Sequence, residues 1–126
     1  MEATPILEMY GKTFVSAKRV GGADSDELVF TTAEGDTMRF FHEQDCCENV
    51  SIEDICGDLD DLCGSPMLLA EETTDSKESD DGSCTWTFYR FRTNKGSVTV
   101  RWVGESNGYY SESVDRKWTS LREVKP

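Results

Sequence analysis

This sequence lacks long apolar runs, a basic N-terminal segment and the common phosphate-binding motifs, and each absence excludes a class of protein. No stretch approaches the roughly 18 apolar residues that a membrane helix needs. The N-terminus has no basic segment followed by an apolar one, so we predict no signal peptide. The phosphate-binding patterns GxxxxGKS/T and GxGxxG are also missing. We therefore expect an intracellular protein with no membrane partner and none of these nucleotide-binding motifs.

Cysteine is present in an odd number, which bears on the redox state. With no signal peptide, an odd count favours reduced thiols over a disulfide framework. The five cysteines are Cys46, Cys47, Cys56, Cys63 and Cys84.

The shortage of bases is uneven along the chain. Thirteen lysines and arginines face 25 acids, which gives a formal net charge of −12. Residues 42–81 hold 14 acids and one base, whereas residues 82–126 hold four acids and eight bases. A negative field repels nucleic acid and attracts basic proteins or cations. The charge therefore predicts either a basic protein partner or, as the simpler interpretation, solubility alone.

Alternation of apolar and polar residues predicts strands over most of the chain. The first three predicted strands are joined by short turns and indicate an antiparallel meander. The two clearest ones, 85–92 and 97–103, form a hairpin through Asn94–Gly96. The predicted strands are 13–20, 27–32, 37–41, 49–55, 67–71, 85–92, 97–103 and 109–114.

One short helix is predicted over 57–64. Asp58 is a suitable N-cap, Gly64 suits the C-terminal end, and Leu59 and Leu62 share one face. The prediction is thus one domain of the α+β class, mainly antiparallel, with about seven or eight strands and one helix. The segments outside this core are a lead-in over 1–11, a mobile acidic loop over 73–83 and a basic tail over 115–126.

Five short motifs stand out in the middle and late parts of the chain. They are Asp45-Cys46-Cys47-Glu48, Ile52-Glu53-Asp54-Ile55, Gly57-Asp58, Gly64-Ser65-Pro66 and Gly104-Glu105-Ser106-Asn107-Gly108-Tyr109-Tyr110. In these motifs the chain, from about 11 to 114, resembles a family of small domains encoded by tailed bacteriophages. The resemblance implies a phage origin and the cytoplasm of an infected bacterium. It implies no mechanism, because that family has no assigned activity.

The leading hypothesis is an interaction protein that binds and inhibits a host bacterial protein with a basic surface. A defence nuclease, in an anti-CRISPR-like role, and a transcription component are two such partners. Charge complementarity would speed association, and aromatic residues would supply affinity. The carboxylates predicted to bind the partner are Asp45, Glu48, Glu53, Asp54, Asp58, Asp60 and Asp61.

A second hypothesis is a protein that binds or sequesters a nucleotide. Basic residues beside aromatic ones can pair with phosphate and stack on a base. The simpler interpretation, which we favour, is that these bases pair with the acidic middle of the chain. The residues in question are Arg90, Arg92, Arg101, Trp86 and Tyr109.

A third hypothesis is a metal-dependent enzyme centred on His42, Cys46 and Cys47. Thiolate and imidazole ligands suit zinc, and a paired thiolate is also a nucleophile. The sequence has no CxxC pair, however, and adjacent residues of a strand point to opposite faces. We therefore predict no cofactor, and we interpret the cysteines as small buried residues.

Overall fold

The computed structural model describes residues 3–21, 26–44 and 47–120, and these residues are almost entirely β-structure. Two 3₁₀ turns, Leu7–Met9 and Leu59–Leu62, interrupt the strands, and no α-helix occurs in the described ranges. The nine strands are β1 (Thr4–Pro5), β2 (Phe14–Val20), β3 (Glu27–Thr32), β4 (Thr37–Phe41), β5 (Asn49–Cys56), β6 (Leu69–Ser79), β7 (Gly82–Thr93), β8 (Gly96–Ser106) and β9 (Asp115–Thr119).

The strands form two antiparallel sheets that pack face to face. The five-stranded sheet has the order β1-β6-β7-β8-β5, and the four-stranded sheet has the order β2-β3-β4-β9. Aromatic rings meet between them: the centroids of Phe30 and Phe91 are 4.9 Å apart, and those of Phe40 and Tyr89 are 4.6 Å apart. The architecture is a two-layer β-sandwich.

The period-two pattern of the sequence explains which face of each strand is buried. In β8, Val98, Val100 and Trp102 are buried, and the residues between them are more exposed. Burying one large apolar side chain contributes roughly 1.5–3 kcal/mol, and an aromatic pair adds about 0.5–1.5 kcal/mol. The meander of β2, β3 and β4 and the hairpin of β7 and β8 confirm the strands predicted there.

The predicted helix over 57–64 is wrong, and with it the α+β class. Gly57 and Gly64 have φ angles of +115° and +84°, so the chain turns sharply at both ends of the segment. The residues between them are too few for a stable α-helix and form one 3₁₀ turn. Asp58 still caps this turn, because its carboxylate accepts a hydrogen bond from the backbone N–H of Asp60 at 3.0 Å.

The acidic interval 73–83, predicted as a loop, is a hairpin between β6 and β7. Ser79 pairs with Gly82 across a two-residue turn, Asp80-Asp81. The interval has no apolar residue because this end of β6 is exposed. The turn is followed by Gly82, whose φ of +138° is a conformation that favours glycine, and this turn outweighs the polar composition that favoured a loop.

The late part of the chain also differs from the prediction. Residues 109–114 form no strand, whereas β9 lies in the predicted basic tail and pairs with β4. Trp118 stands opposite Met38 and packs against the core, as does Val114. These two apolar contacts place the end of the described chain in the four-stranded sheet.

Candidate functional site

The predicted partner-binding carboxylates fall into two groups with different surroundings. Glu53 and Asp54 are exposed on β5, an edge strand of the five-stranded sheet. Asp58 and Asp60 are exposed at the second 3₁₀ turn, and Asp61 beside them is half-buried. These five residues remain candidates for contact with a partner.

Glu48 leaves this set because it is buried against His42. Its carboxylate lies 2.8 Å from Nε2 of His42, and the two side chains are 0 % and 4 % exposed. Nδ1 of His42 lies 2.8 Å from the carbonyl oxygen of Ser113, which can only accept, so Nδ1 carries a proton. Both ring nitrogens are thus bound to protein groups. Asp45, the remaining predicted carboxylate, lies outside the described residues.

We expect His42→Ala to lower the free energy of unfolding by about 1–3 kcal/mol, because the buried Glu48 carboxylate loses its hydrogen bond with Nε2 of His42. Urea denaturation at neutral pH measures this loss. His42→Gln, which can still donate one hydrogen bond, should lose less. A metal ligand would behave differently: removing it would cost stability only when the metal is present.

The described residues do not assemble the predicted metal site. No group of three or more His, Cys, Asp or Glu side chains with metal-binding geometry occurs in the part of the chain that the structure describes. His42 directs both nitrogens to protein partners, Cys47 is disulfide-bonded, and Cys46 lies outside the described residues. The prediction of reduced thiols is therefore wrong at Cys47.

The free thiols of Cys56, Cys63 and Cys84 are poor nucleophiles. A hydrogen bond to Asp54 raises the pKa of Cys56, and its negative charge adds to this. Burial raises the pKa of Cys63 and Cys84, and neighbouring carboxylates add to the effect. Thiolates are therefore scarce at neutral pH. None of the three cysteines is fully buried, although Cys63 packs against the core, and this corrects our interpretation of the cysteines as small buried residues.

Most residues of the nucleotide hypothesis lie together on the outer face of the five-stranded sheet, the face directed away from the four-stranded sheet. On β7, Thr87, Tyr89 and Phe91 point inward and are buried, so Trp86, Arg90 and Arg92 point outward. Arg101 on β8 stands opposite Phe88 on the same outer face. Tyr109 lies apart from them in the loop after β8 and is 88 % exposed.

Two of the three arginines on this face are paired with carboxylates, as the simpler interpretation predicted, and Arg92 forms no ion pair within the described residues. Nη1 of Arg90 lies 3.4 Å from Oε1 of Glu71, and Nε of Arg101 lies 2.6 Å from Oε1 of Glu53. A phosphate group would have to compete with these carboxylates. The geometry therefore gives the nucleotide hypothesis less support than the sequence did.

Two further carboxylates on the outer face were missed in the sequence. Asp75 on β6 stands opposite Trp86, and Glu105 on β8 stands opposite Cys84. Neither forms an ion pair within the described ranges 3–21, 26–44 and 47–120. The Asn94–Gly96 turn sets the register of β7 against β8 and could have placed Glu105, whereas Asp75 lay in the interval predicted as a loop.

Asp26 fixes the position of β5 and of the carboxylates on it. Its carboxylate accepts two hydrogen bonds from Arg19, at 3.2 and 3.1 Å, and one from the backbone N–H of Ile52 at 2.8 Å. Arg19 also donates to the carbonyl of Ile52 at 3.2 Å. Arg19 and Asp26 thus form hydrogen bonds with the carbonyl and the N–H of Ile52 on the edge of β5 that no other described strand pairs with. The bulge at which Glu53 and Asp54 are exposed follows directly.

Glu112 fixes the loop of residues 107–114 in a similar way. Its carboxylate accepts hydrogen bonds from the hydroxyls of Ser83, Thr85 and Ser106. Gly104 allows the close approach, since a Cβ there would lie 2.4 Å from the carbonyl oxygen of Glu112. Burial alone would raise the pKa of Glu112, but the three hydroxyls outweigh it and hold the pKa below its usual range.

A surface cavity of about 740 Å³ lies on the other sheet. Nζ of Lys12 lies 5.6 Å from the centroid of the Trp118 ring, so this cation already covers the indole. Glu34 and Asp36 also line the cavity. It contains none of the residues that the sequence singled out.

Comparisons with known proteins give one match. The family model described as "Domain of unknown function (DUF7448)" matches residues 7–116, close to the extent of the resemblance found in the sequence. No curated protein and no solved structure matches the chain. Within the described ranges, no helix is long and apolar enough to cross a membrane.

Proposed function

The chain belongs to the DUF7448 family, a family of unknown function, and on this premise we propose that it is an acidic interaction protein. It binds a protein with a basic surface, and it is not an enzyme. The resemblance to bacteriophage domains makes a host bacterial protein the natural partner, bound in the cytoplasm of the infected cell. Blocking a nucleic-acid-binding surface of a defence nuclease or a transcription component is the effect that we propose.

One observation carries this proposal: four of the six described arginines form ion pairs within the molecule, whereas many exposed carboxylates form none. Arg19, Arg39, Arg90 and Arg101 each form an ion pair with a carboxylate. Exposed carboxylates that form no ion pair within the described residues include Asp54, Asp58, Asp60, Asp75 and Glu105. Unpaired surface charges of one sign steer a partner of the opposite sign.

The triple variant Asp58→Asn, Asp60→Asn, Asp61→Asn is expected to weaken partner binding by about tenfold, chiefly through slower association. Asparagine keeps the N-cap hydrogen bond of Asp58, so the second 3₁₀ turn should remain folded. The measurement is affinity capture from a bacterial lysate, followed by binding of the purified partner at several salt concentrations. Raised salt should weaken the wild type more than the variant.

The matched control removes three exposed carboxylates from other parts of the surface. Glu8, Glu34 and Glu43 are suitable, since all three are exposed and none belongs to the predicted set. Their replacement by glutamine changes the net charge equally but should leave the affinity close to that of the wild type. Equal loss in both triple variants, or binding that survives both the Asp58–Asp61 change and raised salt, would contradict the proposal.

A further inference from the structure

The outer face of the five-stranded sheet combines an apolar centre with unpaired carboxylates. We propose that this face is where the partner docks, and that an arginine or lysine side chain of the partner stacks on Trp86. The inference rests on the proposed function, because it takes a basic partner as given. It adds the surface, the anchoring residue and the chemistry of the contact.

The centre of the face is apolar and lies outside the core. Trp86 stands opposite Val103, and Phe88 follows on the same face of β7. All three are partly exposed and belong neither to the buried core nor to the apolar residues packed against it. Tryptophan is among the residues that most often dominate the binding energy of an interface. Partly exposed aromatic side chains in the middle of a sheet face are thus suited to a protein contact.

The charges around Trp86 favour a cation over an anion. Asp75 stands directly opposite Trp86 on β6, a position about 5 Å away between Cβ atoms. Glu105 is the diagonal neighbour on β8, about 7–8 Å away. Lys77 on β6 and Arg101 on β8 are the other two charged diagonal neighbours of Trp86, and Arg101 is already paired with Glu53. The charges beside Trp86 that form no ion pair within the described residues are therefore two carboxylates and one lysine. A cation above the indole would meet the negative face of the ring and a carboxylate on each side.

Arg90 and Arg101 strengthen the assignment to a basic partner. Each is neutralised by a glutamate on the neighbouring strand, Glu71 or Glu53. Neither of these two arginines is therefore free to bind a phosphate or a carboxylate next to Phe88. The excess charge around Trp86 is negative, and an arginine complements both this charge and the flat indole.

The test uses a short probe, the peptide acetyl-Gly-Arg-Gly-Arg-Gly-amide, with its citrulline counterpart as a neutral control of the same shape. Indole N–H signals in ¹H–¹⁵N NMR spectra report on the three tryptophans separately. Trp102 is fully buried and Trp118 already lies beneath Lys12, so both serve as internal references. We expect saturable shifts of the Trp86 signal with the arginine peptide and none with the citrulline peptide.

Two variants support this test without disturbing the core. Asp75→Asn should weaken the arginine peptide about threefold, in the range of exposed ion pairs. Trp86→Phe keeps an aromatic ring but a weaker cation–π site, and it should weaken the peptide as well. Equal binding by the wild type and both variants would overturn the assignment to Trp86.

The remaining outcomes separate this inference from the proposed function. Shifts confined to Asp58–Asp61, with Trp86 unmoved, would overturn the inference and leave the acidic function standing. A Trp86 signal that shifts with protein concentration alone would show that a second copy covers the face, which also overturns it. If the Trp86→Phe variant no longer captures the partner while the Asp58–Asp61 variant still does, the inference stands, and those aspartates do not bind the partner.

Discussion

Replacing Asp26 by alanine is expected to lower the free energy of unfolding by about 3 kcal/mol, because its buried carboxylate accepts hydrogen bonds from a charged group and from a buried backbone N–H. The change leaves the guanidinium of Arg19 without its carboxylate and the backbone N–H of Ile52 without an acceptor. Both losses fall at the contact between the two sheets. Urea denaturation followed by tryptophan fluorescence measures the effect.

A matched control lies next to Asp26 in the sequence. Glu27→Gln breaks the ion pair with Arg39. The side chain of Arg39 is 39 % exposed, and exposed ion pairs contribute only about 0.2–1 kcal/mol. If Asp26→Ala costs no more than Glu27→Gln, the contact between Asp26 and β5 does not hold the sheets together. Asp26→Asn should fall between the two, because the amide can still accept from Ile52.

The second large effect is expected at Glu112. Glu112→Ala should cost about 3 kcal/mol, because one charged acceptor is removed from three hydroxyl donors. The loop of residues 107–114 should then separate from Ser83 and Ser106. Amide hydrogen exchange should show faster exchange at Asn107–Val114 while the protection of β7 and β8 is retained.

Glu112 also makes stability depend on pH with a defined sign. Because the folded pKa lies below its ordinary value of 4.5, the unfolded chain binds more protons and stability rises with pH in this window. The contribution of Glu112 is complete above about pH 5 and is lost as the pH falls through the folded pKa. Glu112→Gln should remove this part of the pH dependence, so its unfolding free energy should fall less steeply below pH 4.5 than that of the wild type. Parallel pH profiles would contradict this role.

Strands with strict alternation were predictable from the sequence, and segments held by specific polar contacts were not. The pattern of Phe14, Phe30 and Phe40 reveals the inward face of the meander, because burial of one sheet face imposes a period of two. The loop of residues 107–114 carries apolar Tyr109 and Tyr110, which mimic a strand. Its structure depends on Glu112 and three hydroxyls from other strands, and no local pattern records that contact.

The acidic character of the candidate site was predictable from the sequence, but the positions and partners of its side chains were not. An excess of carboxylates over 42–81 is visible in the sequence. The register places Asp54 opposite Arg101, yet the carboxylate that pairs with Arg101 is that of Glu53 at the bulge. Glu48 looked equivalent to its neighbours until its burial against His42 was known. Trp86 became a candidate anchor only when β7 was seen to direct Tyr89 and Phe91 inward.

The pairing of β9 with β4 has a consequence for how the chain acquires its structure. The four-stranded sheet takes three strands from the first third of the chain and its last strand from beyond β8. The meander therefore cannot gain its fourth strand until β9 has been synthesised. Pairings between distant segments are slow to form, so folding is expected to take milliseconds to seconds. Until then the edge of β4 is available to other chains, and a nascent copy is most exposed to aggregation at this stage.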